Sequence, residues 1–128
     1  MRLILVRHAE AAPGDPDELR ALTPAGRDVA RALGDRLAGA GITAVVSSPL
    51  LRARQTAEPI ARAAGVAAVT DDRLAPGATA EDVRGVVAGK GETVVVVGHQ
   101  PDCGEIVLAL TGREAAFPAG GLAEVELS

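Results

Sequence analysis

Only two imidazoles occur in the chain, His8 and His99, and each follows directly on a run of apolar residues. Arg7 stands beside the first. Between them lies Ser47-Ser48-Pro49, with Arg52 and Arg54 just beyond. A neutral imidazole is a nucleophile near pH 7 and can carry a phosphoryl group covalently. Guanidinium groups offer planar forks of donors that match phosphate oxygens. Two His and two Arg converging on one cavity would make a compact cationic site, suited to holding an anion and attacking it.

Convergence depends on the elements that carry these residues. Leu3–Val6 is a short continuous apolar run, the pattern of a strand buried on both faces. Ala44–Val46 and Thr93–Val97 repeat it, the latter being the strongest strand signal in the chain; Val66–Thr70 is weaker, and Ala123–Leu127 is expected as a last strand. Thr23-Pro24 opens a helix with an N-cap followed by proline, and Val29, Leu33 and Leu37 recur every four residues until Gly39 and Gly41. Ser48-Pro49 predicts a second such start, with Ser48 as the cap of a helix over Leu50–Ala64 closed by Gly65. Pro59 is expected to kink or split that helix. Further helices are expected over 79–87 and 101–110. The alternation predicts an α/β fold, a three-layer α/β/α sandwich with a mostly parallel central sheet of about five strands, in a single domain over 1–128. In such sheets ligands bind beyond the carboxyl ends of the strands. His8, Ser48 and His99 all fall at such ends.

Composition narrows the function. Thirteen basic against seventeen acidic residues give a formal charge of −4, and Phe117 is the only aromatic residue apart from the two histidines. Base stacking has almost nothing to use, and general nucleic-acid binding is not expected. No run approaches the roughly 20 apolar residues of a membrane span. One cysteine excludes an internal disulfide and points to a reducing, cytoplasmic setting. Two His and one Cys leave little material for a metal centre, and neither metal nor cofactor is expected.

The chain resembles the histidine phosphatase, or phosphoglycerate mutase-like, superfamily. The residues that carry the likeness are Arg7-His8-Ala9-Glu10, then Ser48-Pro49-Leu50-Leu51-Arg52-Ala53-Arg54-Gln55-Thr56-Ala57, then Gly98-His99-Gln100-Pro101. Arg-His alone means nothing and Gly-His-x-Pro is weak, but the three in order at strand ends are strong together. The compact length is most like the SixA-type phosphohistidine phosphatases. The resemblance implies that His8 is the phosphorylated nucleophile and that Arg7, Arg52 and His99 bind the transferring group. It implies hydrolysis in two steps without a metal ion, acting on a phosphohistidine-bearing carrier or phosphorelay domain. Gln100 is expected to offer a backbone N–H to phosphate.

The chain departs from the family at one point. Many members carry a proton-donating acid after the third strand, and here that position falls at Pro76. Either Asp71 or Asp72 substitutes, or the chain has no dedicated acid. A labile P–N bond with imidazole as leaving group needs such help less than an alkyl phosphate ester does. Only 46 residues separate Arg52 from His99, too few for an extensive lid. That suits a phosphate presented on a protein surface. A phosphatase of small monoesters and a silent phosphate-binding module remain the alternative readings. Glu10 is a candidate for orienting a catalytic group. Arg54 is expected to be a solvated surface residue, Cys103 a packing residue, and Asp102 and Glu105 charges that complement a helix dipole.

Overall fold

The computed structural model describes all residues, 1–128. Its elements are β1 (Arg2–Arg7), α1 (Pro24–Leu37), β2 (Ala44–Ser47), α2 (Leu51–Ala64), β3 (Ala68–Thr70), α3 (Ala80–Val87), β4 (Thr93–Gly98), α4 (Asp102–Thr111) and β5 (Leu122–Glu126). Short 3-10 turns occupy Asp17–Leu19 and Asp72–Leu74. The sheet runs in the order β3-β2-β4-β1-β5 and is mixed but mostly parallel; only β5 is antiparallel, along β1. The three-layer α/β/α architecture expected from the sequence is present.

The apolar strand runs are explained by burial on both faces. Leu3 and Leu5 join Val94 and Val96 in a core with Val83, Val86, Ile106 and Phe117, beneath α3 and α4. Ile4 and Val6 join Val95 and Val97 in a second core with Leu33, Leu37, Ala57 and Ile60, beneath α1 and α2. Alternate residues of one strand thus serve opposite layers, as the two-residue period of a strand requires.

Some local expectations are corrected. Val29 breaks the four-residue pattern: it is 41% exposed, and the face that packs is Gly26, Ala30, Leu33, Gly34 and Leu37. Ser48 does not cap α2. That helix starts at Leu51 after Leu50, with no side-chain cap, while Ser48 lies fully buried two residues before. Pro59 does not split α2, which runs unbroken past it because Ala53, Ala57, Ile60 and Ala61 keep one face packed on the sheet. Gly34 lets α1 approach there; a Cβ on it would come within 2.7 Å of the Pro59 carbonyl oxygen. Phe117 is 4% exposed and part of the core. No helix is long and apolar enough to cross a membrane.

Candidate active site

Strand register brings the two histidines together. Arg7 of β1 pairs with Gly98 of β4, so the next residues, His8 and His99, leave adjacent parallel strands at the same level. Their ring centroids are 5.3 Å apart, tilted at 59°. The chain leaves β1 for the α1/α2 layer and leaves β4 for the α3/α4 layer. The crevice between these strand ends is therefore a topological switch point.

His8 is half-buried, and its Nδ1 lies 2.7 Å from the Ala9 carbonyl oxygen. A carbonyl only accepts, so Nδ1 carries the proton and Nε2 keeps the lone pair. The backbone around it is tied down: the Ala9 N–H donates to Thr56 Oγ1, which in turn donates to the Arg52 carbonyl on α2. Burial lowers the His8 pKa; its bond to Ala9 opposes this, and the guanidiniums of Arg52, Arg7 and Arg20 push it further down.

His99 is 4% exposed. Its Nε2 lies 2.8 Å from Ser48 Oγ; that oxygen accepts the Leu50 N–H at 3.2 Å, and its own proton has no acceptor besides Nε2. Burial first, then the His8 ring and Arg52, push its pKa down to about 4. The ring is neutral near pH 7. With the Ser48 hydroxyl donating to Nε2, the proton of the ring sits on Nδ1. That atom is buried and has no partner within the protein, and the same is true of Arg7 Nε. Two buried nitrogens at the ends of β1 and β4 are thus left without an acceptor in the protein.

Arg7 is anchored through one arm, donating from Nη1 to the Phe117 carbonyl at 3.0 Å. Arg52, only 7% exposed, donates to the Asp17 carbonyl (3.0 Å) and carboxylate (3.2 Å). Arg20 shares that carboxylate at 3.2 Å and donates to the Ala12 carbonyl at 2.9 Å. Hydrogen bonding from Arg20, then the charge of Arg52, keeps the Asp17 carboxyl below its ordinary range. Arg20 and Asp17 are the site residues that sequence reading missed. The available signal was an arginine in the loop directly after the first histidine-bearing strand.

The remaining candidates separate. Gln100 is exposed, and its side chain caps the Gly104 N–H at 2.8 Å. Glu10 accepts from the Thr23 hydroxyl at 2.8 Å, fastening the His8 loop to the start of α1. Asp71 is gripped by Arg73 through Nε (3.0 Å) and Nη2 (2.8 Å). Those bonds hold its pKa at about 2, so it is an anion at neutral pH and an unsuitable proton donor. Asp72 is exposed, and its carbonyl accepts the Ala75 N–H at 3.1 Å. Asp102 does more than complement a dipole: it is buried and accepts the Gly77 N–H at 2.8 Å, pinning the segment after β3 to the start of α4. Arg54 is exposed. Burial pushes the Cys103 thiol up to about 12, which rules out thiolate chemistry. No group of three or more His, Cys, Asp or Glu side chains is placed to hold a metal ion.

A concavity of about 540 Å³ lies away from this site. It lies between Met1, Val87 and Leu127 at the other end of β1. Six strand residues, roughly 20 Å, separate it from His8.

Residues 3–76 match the family model of the histidine phosphatase superfamily, branch 1. An uncharacterised protein of Picosynechococcus sp. is 35% identical over 95% of this chain and 82% of its own length. A solved structure from Agrobacterium tumefaciens, provisionally described as the phosphohistidine phosphatase SixA, is 31% identical with a TM-score of 0.82, covering 96% of this chain and 89% of that one. The protein histidine phosphatase SixA complexed with tungstate is 28% identical with a TM-score of 0.87, covering 99% and 88%.

Proposed function

The chain belongs to the histidine phosphatase superfamily, and from that membership we propose that it hydrolyses phosphohistidine on a protein through a phosphorylated His8. His8 Nε2 attacks phosphorus and the P–N bond to the substrate imidazole breaks. That imidazole leaves with the bond's electron pair and takes a proton from water. A second water then attacks the phosphorus on His8, releasing inorganic phosphate and restoring the ring. Arg7, Arg52 and the Nδ1–H of His99 hold the equatorial oxygens, where charge is concentrated in the transition state. Arg7 and Arg52 supply the positive charge and the neutral His99 ring a hydrogen bond, so the proposed reaction needs no metal ion.

The observation that carries this reading is the state of the carboxylates on the loops flanking the strand ends. Glu10, Asp17, Asp71 and Asp102 are engaged as acceptors, whereas the carboxylates of Asp15, Glu18 and Asp72 are exposed and bonded to no side chain of the site. An alkoxide leaving group needs a proton donor in the transition state; an imidazole leaving group needs it far less. The likeness to SixA structures supports the same substrate class. The tungstate bound to one of them, a tetrahedral oxyanion like phosphate, supports phosphoryl binding on this fold, for phosphohistidine and ester substrates alike. A mycobacterial glucosyl-3-phosphoglycerate phosphatase, 18% identical, shares the fold alone.

The test is phosphate release, in excess EDTA, from a histidine-phosphorylated carrier protein and from a panel of small phosphate esters. Wild type is expected to act on the phosphoprotein, and His8→Ala to lose essentially all turnover together with the acid-labile phosphoenzyme. Preferential turnover of an ester, or full activity in His8→Ala, would overturn the reading. Tight phosphate binding without any hydrolysis would favour a binding module.

A further inference from the structure

Charge is divided across the sheet. Residues 24–64, which build α1 and α2, carry six arginines and three acids, whereas residues 65–128, which build α3, α4 and β5, carry four basic and ten acidic residues. A chain with net charge −4 thus has one basic layer. Five of the six arginines are exposed: Arg27, Arg31, Arg36, Arg54 and Arg62. Arg52 is the sixth and is buried at the candidate site.

The exposed arginines are not scattered. Arg27, Arg31 and Arg62 line a groove of about 280 Å³ between α1 and α2 with Gln55, Glu58 and Pro59, the last being the one apolar side chain. The groove begins beside the candidate site. Gln55 is one helical turn beyond Arg52, and its side chain accepts the Leu22 N–H at 2.8 Å in the loop that leads into α1. Arg31 pairs with Asp28 and Arg62 with Glu58, while Arg27 has no ion-pair partner.

We propose that the α1/α2 groove is the docking surface for an acidic face of the phosphoprotein substrate, which it steers so that the phosphorylated residue reaches His8. This rests on the phosphoprotein reading above. A protein suits the groove better than a nucleic acid for two reasons. The acids Asp28 and Glu58 alternate with the arginines, which penalises a continuous phosphate backbone but fits a discrete pattern of carboxylates. The only aromatic residue apart from the two histidines, Phe117, is buried, so the groove offers no base a ring to stack on. Opposite charge raises the encounter rate and fixes orientation at the rim of a site, and salt screens it.

The experiment compares wild type with an Arg27→Glu/Arg31→Glu/Arg62→Glu variant on two substrates: an acidic, histidine-phosphorylated carrier protein and free phosphoramidate. Thermal denaturation checks that the variant is folded, and the corresponding triple Ala variant serves if it is not. With the phosphoprotein, kcat/KM is expected to fall on the order of tenfold or more, and its decline with added salt to flatten. With free phosphoramidate, kcat/KM is expected to stay unchanged. Equal kcat/KM values for wild type and variant on the phosphoprotein would overturn the docking surface while leaving the catalytic reading intact. A parallel loss on phosphoramidate would show a defect of the site instead and also overturn it. A wild type inactive on the phosphoprotein but active on small esters would overturn both. Binding of an RNA oligonucleotide through these arginines, without an effect on the phosphoprotein, would reject the partner class.

Discussion

In His8 the backbone decides which ring nitrogen keeps its lone pair. The bond from Nδ1 to the Ala9 carbonyl leaves the lone pair on Nε2, and burial keeps the ring neutral further into acid than a free histidine. A proposed nucleophile that must be neutral then sets the acid limb of the pH profile. The limb of kcat/KM for the free enzyme is expected below pH 6.5, the ordinary value. A limb at or above 6.5 in a pH series on free phosphoramidate would show that His8 ionisation does not control the step. At this scale the types and spacing of the residues were legible: Arg7, His8, Arg52 and His99 read directly from the chain. The partners of those residues were not. Ser48 reads as a helix cap and proves to hold His99, since a buried hydroxyl takes whichever partner the tertiary fold places within reach.

The elements hold the site through close backbone contacts that glycine permits. A Cβ on Gly26 would lie 2.2 Å from the Glu10 carbonyl oxygen, on the loop that carries His8, and one on Gly34 would lie 2.7 Å from the Pro59 carbonyl oxygen, far from that loop. Both Gly26→Ala and Gly34→Ala are expected to destabilise the protein by about 1–3 kcal/mol, as overpacking does. Only Gly26→Ala is expected also to lower kcat/KM well below the melting temperature, because it displaces the loop. Melting curves and steady-state rates on the two variants separate the effects; equal kcat/KM values would deny the loop its positioning role. The strand runs were readable because burial on both faces leaves continuous apolar residues. Val29 and Pro59 misled because local periodicity and propensity yield to the packing of the neighbouring layer.

Across the whole molecule, folding places two neutral imidazoles and their surrounding guanidiniums in one crevice, and that has a thermodynamic consequence. His99 ionises at about 4 in the folded chain and near 6.5 when free. Between those values the unfolded chain binds more protons, so stability is complete above pH 6.5 and falls as pH drops through the window. The His8 shift has the same sign. Asp71, held at about 2, loses its contribution as pH falls from its ordinary 3.8 towards 2, outside that window. The melting temperature of wild type is expected to decline from pH 7 to pH 4.5 more steeply than that of His99→Gln. Parallel declines would place the acid sensitivity elsewhere.

The α/β class, the strand and helix order, the candidate histidines and arginines and the expectation of an anion site all followed from the amino-acid sequence. Each is written in local patterns: apolar runs, N-cap and proline pairs, and chemical groups at strand ends. Tertiary structure alone decided that β4 inserts between β1 and β2, which puts His99 beside His8. It also decided that Asp17 and Arg20 return to Arg52, that Asp71 is committed to Arg73, and that five exposed arginines share one layer. These depend on contacts between segments distant in the chain, and such contacts form only when loop-closure entropy is overcome by burial of the two cores. No local pattern records them.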